Sequence, residues 1–145
     1  MNRKNEAFTL VEILIVVIIL GILAAIVIPQ FTSAADDAQN SRLASDRQAV
    51  RAQIELFKCE HGYYPGYVAA SDSYVAANFV TDLTGTSTGT GGKTCGPYLQ
   101  DFPTNPFSTS GGDTVVITDD AASTSATNGW YFDIDTKKFE ATVTE

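Results

Sequence analysis

One run of apolar residues limits what this chain can be. Phe8 to Ile28 is twenty-one residues long, and within it Ile13 to Ile28 (ILIVVIILGILAAIVI) carries no polar side chain. At about 1.5 Å rise per residue a helix of that length spans roughly 31 Å, the thickness of a hydrocarbon core. The segment before it is short and polar and holds Arg3 and Lys4. Those cations favour keeping that end in the cytoplasm, with the rest of the chain outside. An ordinary secretory signal has an apolar stretch of about 7–15 residues before a small-residue cleavage site. Here the stretch is longer, although ILAAIVIPQ does supply small residues.

Glu12 is the residue a plain anchor does not explain. A lone carboxylate costs roughly 2.5–3.5 kcal/mol at the bilayer centre and less near the end of a span. Within about a turn of Phe8 it can snorkel to the interface, which suffices for a protein that acts alone. A second account begins with a cut between Ala7 and Phe8. Phe8 then carries a free α-amine, and Glu12 of a neighbouring copy can pair with it once such helices pack together. A buried charge that is costly in isolation is compensated only in the assembly. Glu12 becomes a device that sets register.

The remainder supports one domain. The chain has 145 residues, 17 acidic against 9 basic, and a formal charge of −8. Nucleic-acid binding through a basic patch is a poor fit to that charge. Two cysteines, Cys59 and Cys95, accompany a single histidine, His61. A closed zinc site would need carboxylates as well. An exported domain more naturally pairs its cysteines. The bridge would close a loop of about 37 residues, contributing on the order of 3–4 kcal/mol in the chain-entropy model. Two buried free thiols are the alternative. No catalytic set stands out. Cys59 and His61, two apart, point in different directions on a helix. The Gly-rich run Thr84 to Gly96 lacks the phosphate-loop spacing, since Ser87 stands where the first Gly belongs.

Leu43, Val50, Ile54 and Phe57 recur on one helical face, and Gly62 supplies a stop. The expectation is one helix from about Phe8 to His61, interrupted near Gly21 and Pro29. Gly weakens a helix by backbone entropy, and Pro by a deleted hydrogen bond and a clash. An ordinary membrane-helix kink is one reading of that pair; a segment that stretches or melts on packing is the other. Ser71 to Phe79 reads as a short helix and Thr84 to Gly96 as an exposed loop. DTVVIT, GWYFDID and KKFEATVT read as strands, with Trp130, Phe132 and Ile134 on one face and a turn at Asp135–Lys138. A small antiparallel sheet laid over the helix stripe closes the domain, giving an α+β fold.

The segment AFTLVEILIVVIILGILAAIVIPQF closely resembles the signal of type IV pilin-like proteins, the group of type IV pilins and type II secretion pseudopilins. The resemblance implies removal of a leader, residues 1–7, by a prepilin peptidase and N-methylation of Phe8. Glu12 matches the family's acidic residue and Pro29 the proline after the apolar run. Ala7 stands where the family usually has Gly. GPYLQDFPTNPF and GWYFDIDTKKF are similar to segments of the G-type major pseudopilins. That implies a transmembrane and filament-core helix over 8–28 and a periplasmic or extracellular globular domain over 29–145. It also implies a single-pass inner-membrane precursor with a cytoplasmic N-terminus, and a filament in the periplasm or at the cell surface. The implied partners are further copies of the chain, minor pseudopilins, the prepilin peptidase and an inner-membrane assembly platform. Calcium in the loop before the final strand is implied too, with Asp113, Asp119 and Asp120 as candidate ligands; hard oxygens suit that ion. A type IV pilin for attachment, twitching or DNA uptake is the runner-up. A monomeric tethered binding domain is the alternative of another class.

Overall fold

The structure, a computed structural model, describes residues 8–119 and 128–142. The leader with Arg3, Lys4 and Ala7 lies outside the described residues, as do Asp120 and Val143. Chain contacts divide into two compact units, one ending at Asn40 and the other beginning at Ser41.

Helix α1, Leu10–His61, runs through both units. Its helical run is continuous through Gly21 and Pro29, so the expected interruption is corrected. Proline's fixed φ is close to helical, and its ring removes only one backbone donor from a helix of 52 residues. In the first unit every described side chain is exposed, from Phe8 to Asn40. The apolar side chains between Phe8 and Ile28 are thus left exposed, a large unburied apolar surface. An 18-residue window of α1 is long and apolar enough to cross a membrane.

The second unit holds the core. Leu43, Val50, Ile54 and Phe57 are buried on α1, as their spacing predicts. Burying each such side chain contributes roughly 1.5–3 kcal/mol. They pack with Phe79 and Leu83 of α2, Ala76–Thr84, and with Val115, Trp130, Phe132 and Phe139 from the strands. Helix α2 starts later than expected. Ser71 to Tyr74 are instead drawn into a small hairpin of β1, Tyr67–Val68, and β2, Ser73–Tyr74. Asp72 sits at φ 48° in its turn and accepts a hydrogen bond from the Tyr67 hydroxyl at 2.9 Å. Aspartate tolerates that left-handed conformation better than most residues.

The Gly- and Thr-rich stretch is not an open loop. It forms a second hairpin, β3, Ser87–Thr88, paired with β4, Thr94–Cys95. Gly89 permits this hairpin to lie against the end of α1, because a Cβ there would come within 2.8 Å of the Glu60 carbonyl. The Thr90 amide then donates to that carbonyl at 2.8 Å, satisfying one of the helix's orphan acceptors.

The main sheet has the order β5, Val115–Thr118, β6, Trp130–Asp133, and β7, Lys138–Ala141. The three strands lie within the expected segments, with Trp130 and Phe132 buried, but Ile134, expected on the same strand face, falls in the turn after β6, and Lys138, expected in that turn, begins β7. The sheet is mixed, which corrects the expected antiparallel arrangement: β5 runs parallel to β6, while β6 and β7 form an antiparallel hairpin. Residues 119–129 are a long connection, close to the dozen residues a parallel crossover requires, whereas a tight turn joins β6 to β7. Asn105 ties the far end together. Its Nδ2 donates to the carbonyls of Gly129, at 2.7 Å, and Thr142, at 3.0 Å, and its Oδ1 accepts from the Phe107 amide at 2.9 Å.

Candidate functional site

The first turn of α1 is a hydrogen-bonded box. Thr9 precedes the helix, and Glu12 is the third residue inside it. Oε2 of Glu12 accepts from the Thr9 amide and from the Thr9 hydroxyl, each at 2.9 Å. The Glu12 amide donates back to Thr9 Oγ1 at 3.3 Å. This is the reciprocal capping box of a Thr-x-x-Glu sequence, and it satisfies helix-end donors that have no partner within the helix. Oε1 of Glu12 accepts nothing among the described residues. Phe8, immediately before the box, is 80% exposed. The carboxylate therefore has one oxygen committed to its own helix and one open to a partner. Thr9 is the functional residue that sequence reasoning passed over, although the spacing Thr9-Leu10-Val11-Glu12 carries the signal.

Beyond Glu12, Gly21 and Pro29 lie inside α1, and Gly21 has open space around it, so nothing in its own chain requires a glycine there. The hydroxyl of Thr32 donates to the Ile28 carbonyl at 3.3 Å just past the proline.

The expected Cys59–Cys95 bridge is not formed. Both thiols are free, Cys59 exposed and Cys95 buried. Cys95 lies under Gly89 and beside Glu60, the residue after Cys59, which is turned to another side of the helix. Its Sγ donates to the Lys93 carbonyl at 3.5 Å. Around it, the Tyr98 hydroxyl donates to Glu60 Oε2 at 2.5 Å. That bond, more than any other effect, holds the Glu60 carboxyl below its ordinary range. Burial, followed by the same bond, pushes the Tyr98 hydroxyl well up. His61 stacks on Phe57 with ring centroids 4.0 Å apart. Its Nδ1 is 3.1 Å from the Phe57 carbonyl and its Nε2 is 2.8 Å from Ser87 Oγ. A carbonyl only accepts, so Nδ1 carries the proton and the serine donates to Nε2. This cluster fastens the β3–β4 hairpin to the end of α1.

Asp113 and Asp119, two of the three candidate calcium ligands, are not brought together. They stand at opposite ends of β5, where extended chain of that length spans up to roughly 20 Å. Among the described residues, no group of three or more His, Cys, Asp or Glu side chains is placed to hold a metal.

Comparison with known proteins bears on the amino-terminal site. A family model, the prokaryotic N-terminal methylation motif, matches residues 2–28. The chain is 43% identical over 64 residues to type II secretion system core protein G of Pseudomonas aeruginosa, covering 44% of this chain and 45% of that protein. It is 35% identical to the Dickeya chrysanthemi protein of the same name, covering 45% and 42%. These matches make the chain similar to type II secretion core proteins and to chains that carry the methylation motif. Against the Escherichia coli core protein G the similarity extends further, 27% identity over 114 residues, covering 79% of this chain and 72% of that one. The alignments to the Pseudomonas and Dickeya proteins span less than half the length of those relatives. No solved structure matches the chain.

Proposed function

We propose that this chain is a structural subunit of a type II secretion pseudopilus. It is made as a membrane-anchored precursor, cut after Ala7, methylated at Phe8, and polymerised through the first half of α1 to support protein export. The observation that carries this reading is the start of α1. A wholly exposed apolar helix begins with a carboxylate that keeps one oxygen in its own capping box and one oxygen open. In lipid an open carboxylate oxygen is costly until a cation reaches it. The methylated amine of Phe8 on a neighbouring copy is that cation, and it exists only after cleavage. The box fixes where the carboxylate points, so the pairing also sets the stagger between copies.

Glu12→Ala in the full chain tests this. The variant is expected to insert in the membrane and keep its globular fold, yet to yield at least about tenfold fewer fibres than wild type, because removing one partner leaves the other buried charge uncompensated, at a cost of roughly 3–5 kcal/mol. Fibres in wild-type number from Glu12→Ala would remove the pairing from the account.

A further inference from the structure

We infer that a cationic groove on the globular unit docks the acidic recess of a second copy of this chain, an inference that rests on the filament reading above. The groove has a volume of about 370 Å³ and lies between α1 and the β6–β7 turn. Ile54 and Phe139 form its apolar floor, and Arg51, Lys137 and Lys138 bring positive charge to its walls. Two carboxylates also line it, but one of them, Glu140, is already shared by Arg47 and Arg51. Arg51 is held in place further by donating from Nε to the Phe139 carbonyl at 2.8 Å. Lys138 is exposed and, among the described residues, forms no ion pair. Lys137 reaches the Ile134 carbonyl and lies 5.0 Å over the Tyr74 ring, again with no ion pair. The groove is therefore built and fixed by Arg51 and Lys137, and Lys138 is its exposed cation with no ion pair among the described residues.

A recess of about 510 Å³ shares Lys137 with the groove and carries Asp72, Asp119 and Asp135, all exposed, so acidic groups outnumber its one cation. Groove and recess adjoin at Lys137 and open on different residues of the same unit, the groove on Arg51 and Lys138 and the recess on the three aspartates. A contact between the groove of one copy and the recess of the next is head-to-tail, and such contacts generate open helical polymers instead of closed dimers. Charge supplies the second argument. A chain of formal charge −8 repels its own kind, and stacking many copies requires the few cations to be segregated where the next copy presents carboxylates. The apolar helices supply cohesion in this arrangement, and the groove-to-recess contact fixes how each globular unit is turned.

The test uses fibres assembled from the full chain, mixed from ordinary and ¹⁵N-labelled copies and treated with a zero-length carbodiimide. The expected product is a mixed-isotope peptide joining Lys137 or Lys138 to Asp72, Asp119 or Asp135. Mixed-isotope links that avoid these lysines, or links from them to a different protein, overturn the proposal. In parallel, Lys138→Glu is expected to lower fibre yield by at least about tenfold with membrane insertion and Tm unchanged. Lys93→Glu, a charge reversal outside the groove, should leave the yield as it was. Wild-type fibres matched by equal numbers from Lys138→Glu refute this contact alone. A wild-type chain that is processed but never polymerises refutes the filament reading, and the contact with it.

Discussion

At the scale of single residues, Glu12 and Thr9 act as one unit. A carboxylate at the edge of a membrane span is tolerable where donors face it, and the Thr9 amide and hydroxyl both do. Thr9→Val keeps the shape of the side chain and deletes its hydrogen bonds. It should cost about 1 kcal/mol of helix start, as lost N-caps do. Fibre yield should fall, but by less than in Glu12→Ala, because Oε1 still meets the neighbouring amine. Side-by-side yields check this; equal losses would mean that the box, and not the pairing, is what assembly needs. Glu12 was legible in the sequence because a charge in an apolar run is conspicuous. Thr9 was equally written there, in the Thr-x-x-Glu spacing, but the apolar run masks an ordinary capping signal when the segment is read only for membrane length. The three aspartates are a different case: calcium there was implied by the resemblance, Asp113 and Asp119 flank β5, and Asp120 lies outside the described residues.

At the scale of elements, periodicity revealed most of what formed. The stripe Leu43, Val50, Ile54 and Phe57 lies buried, and the alternation from Trp130 locates β6. Pairing direction did not show in the same way. Whether β5 joins β6 parallel or antiparallel depends on the path of the connection, not on the strand's own pattern. The β3–β4 hairpin was hidden for another reason. Low-complexity Gly and Thr look like an open loop, yet Gly89 is what allows the close approach to Glu60. That hairpin buries Cys95 and turns it away from Cys59, which loop-closure arithmetic could not foresee. A maleimide reagent should accordingly label one thiol in the native chain, Cys59, and both after unfolding without reductant. No labelling under either condition would indicate the bridge that the structure does not contain.

At the scale of the whole molecule, the acidic chain meets its environment through a few placed carboxylates. Glu60 and Asp133 are both held below their ordinary values of 4.5 and 3.8, Glu60 first by Tyr98 and Asp133 first by the Thr136 amide. A depressed folded value means that the stabilisation is fully present above the ordinary value and is lost as pH falls through the folded one. Asp82 runs the other way. Burial raises it, so its contribution is present at acid pH and lost as pH rises through its folded value. Glu60→Gln should therefore lower Tm at neutral pH, with the deficit closing once the solution is well below pH 4.5; a deficit that persists in acid would assign the loss to packing. The larger claim is that the chain is a processed filament subunit, and intact-mass spectrometry of fibres purified from cells making the full chain addresses it most directly. The account predicts a mature chain that begins at Phe8 and carries one added methyl group. Fibres built from chains that still begin at Met1 would contradict it.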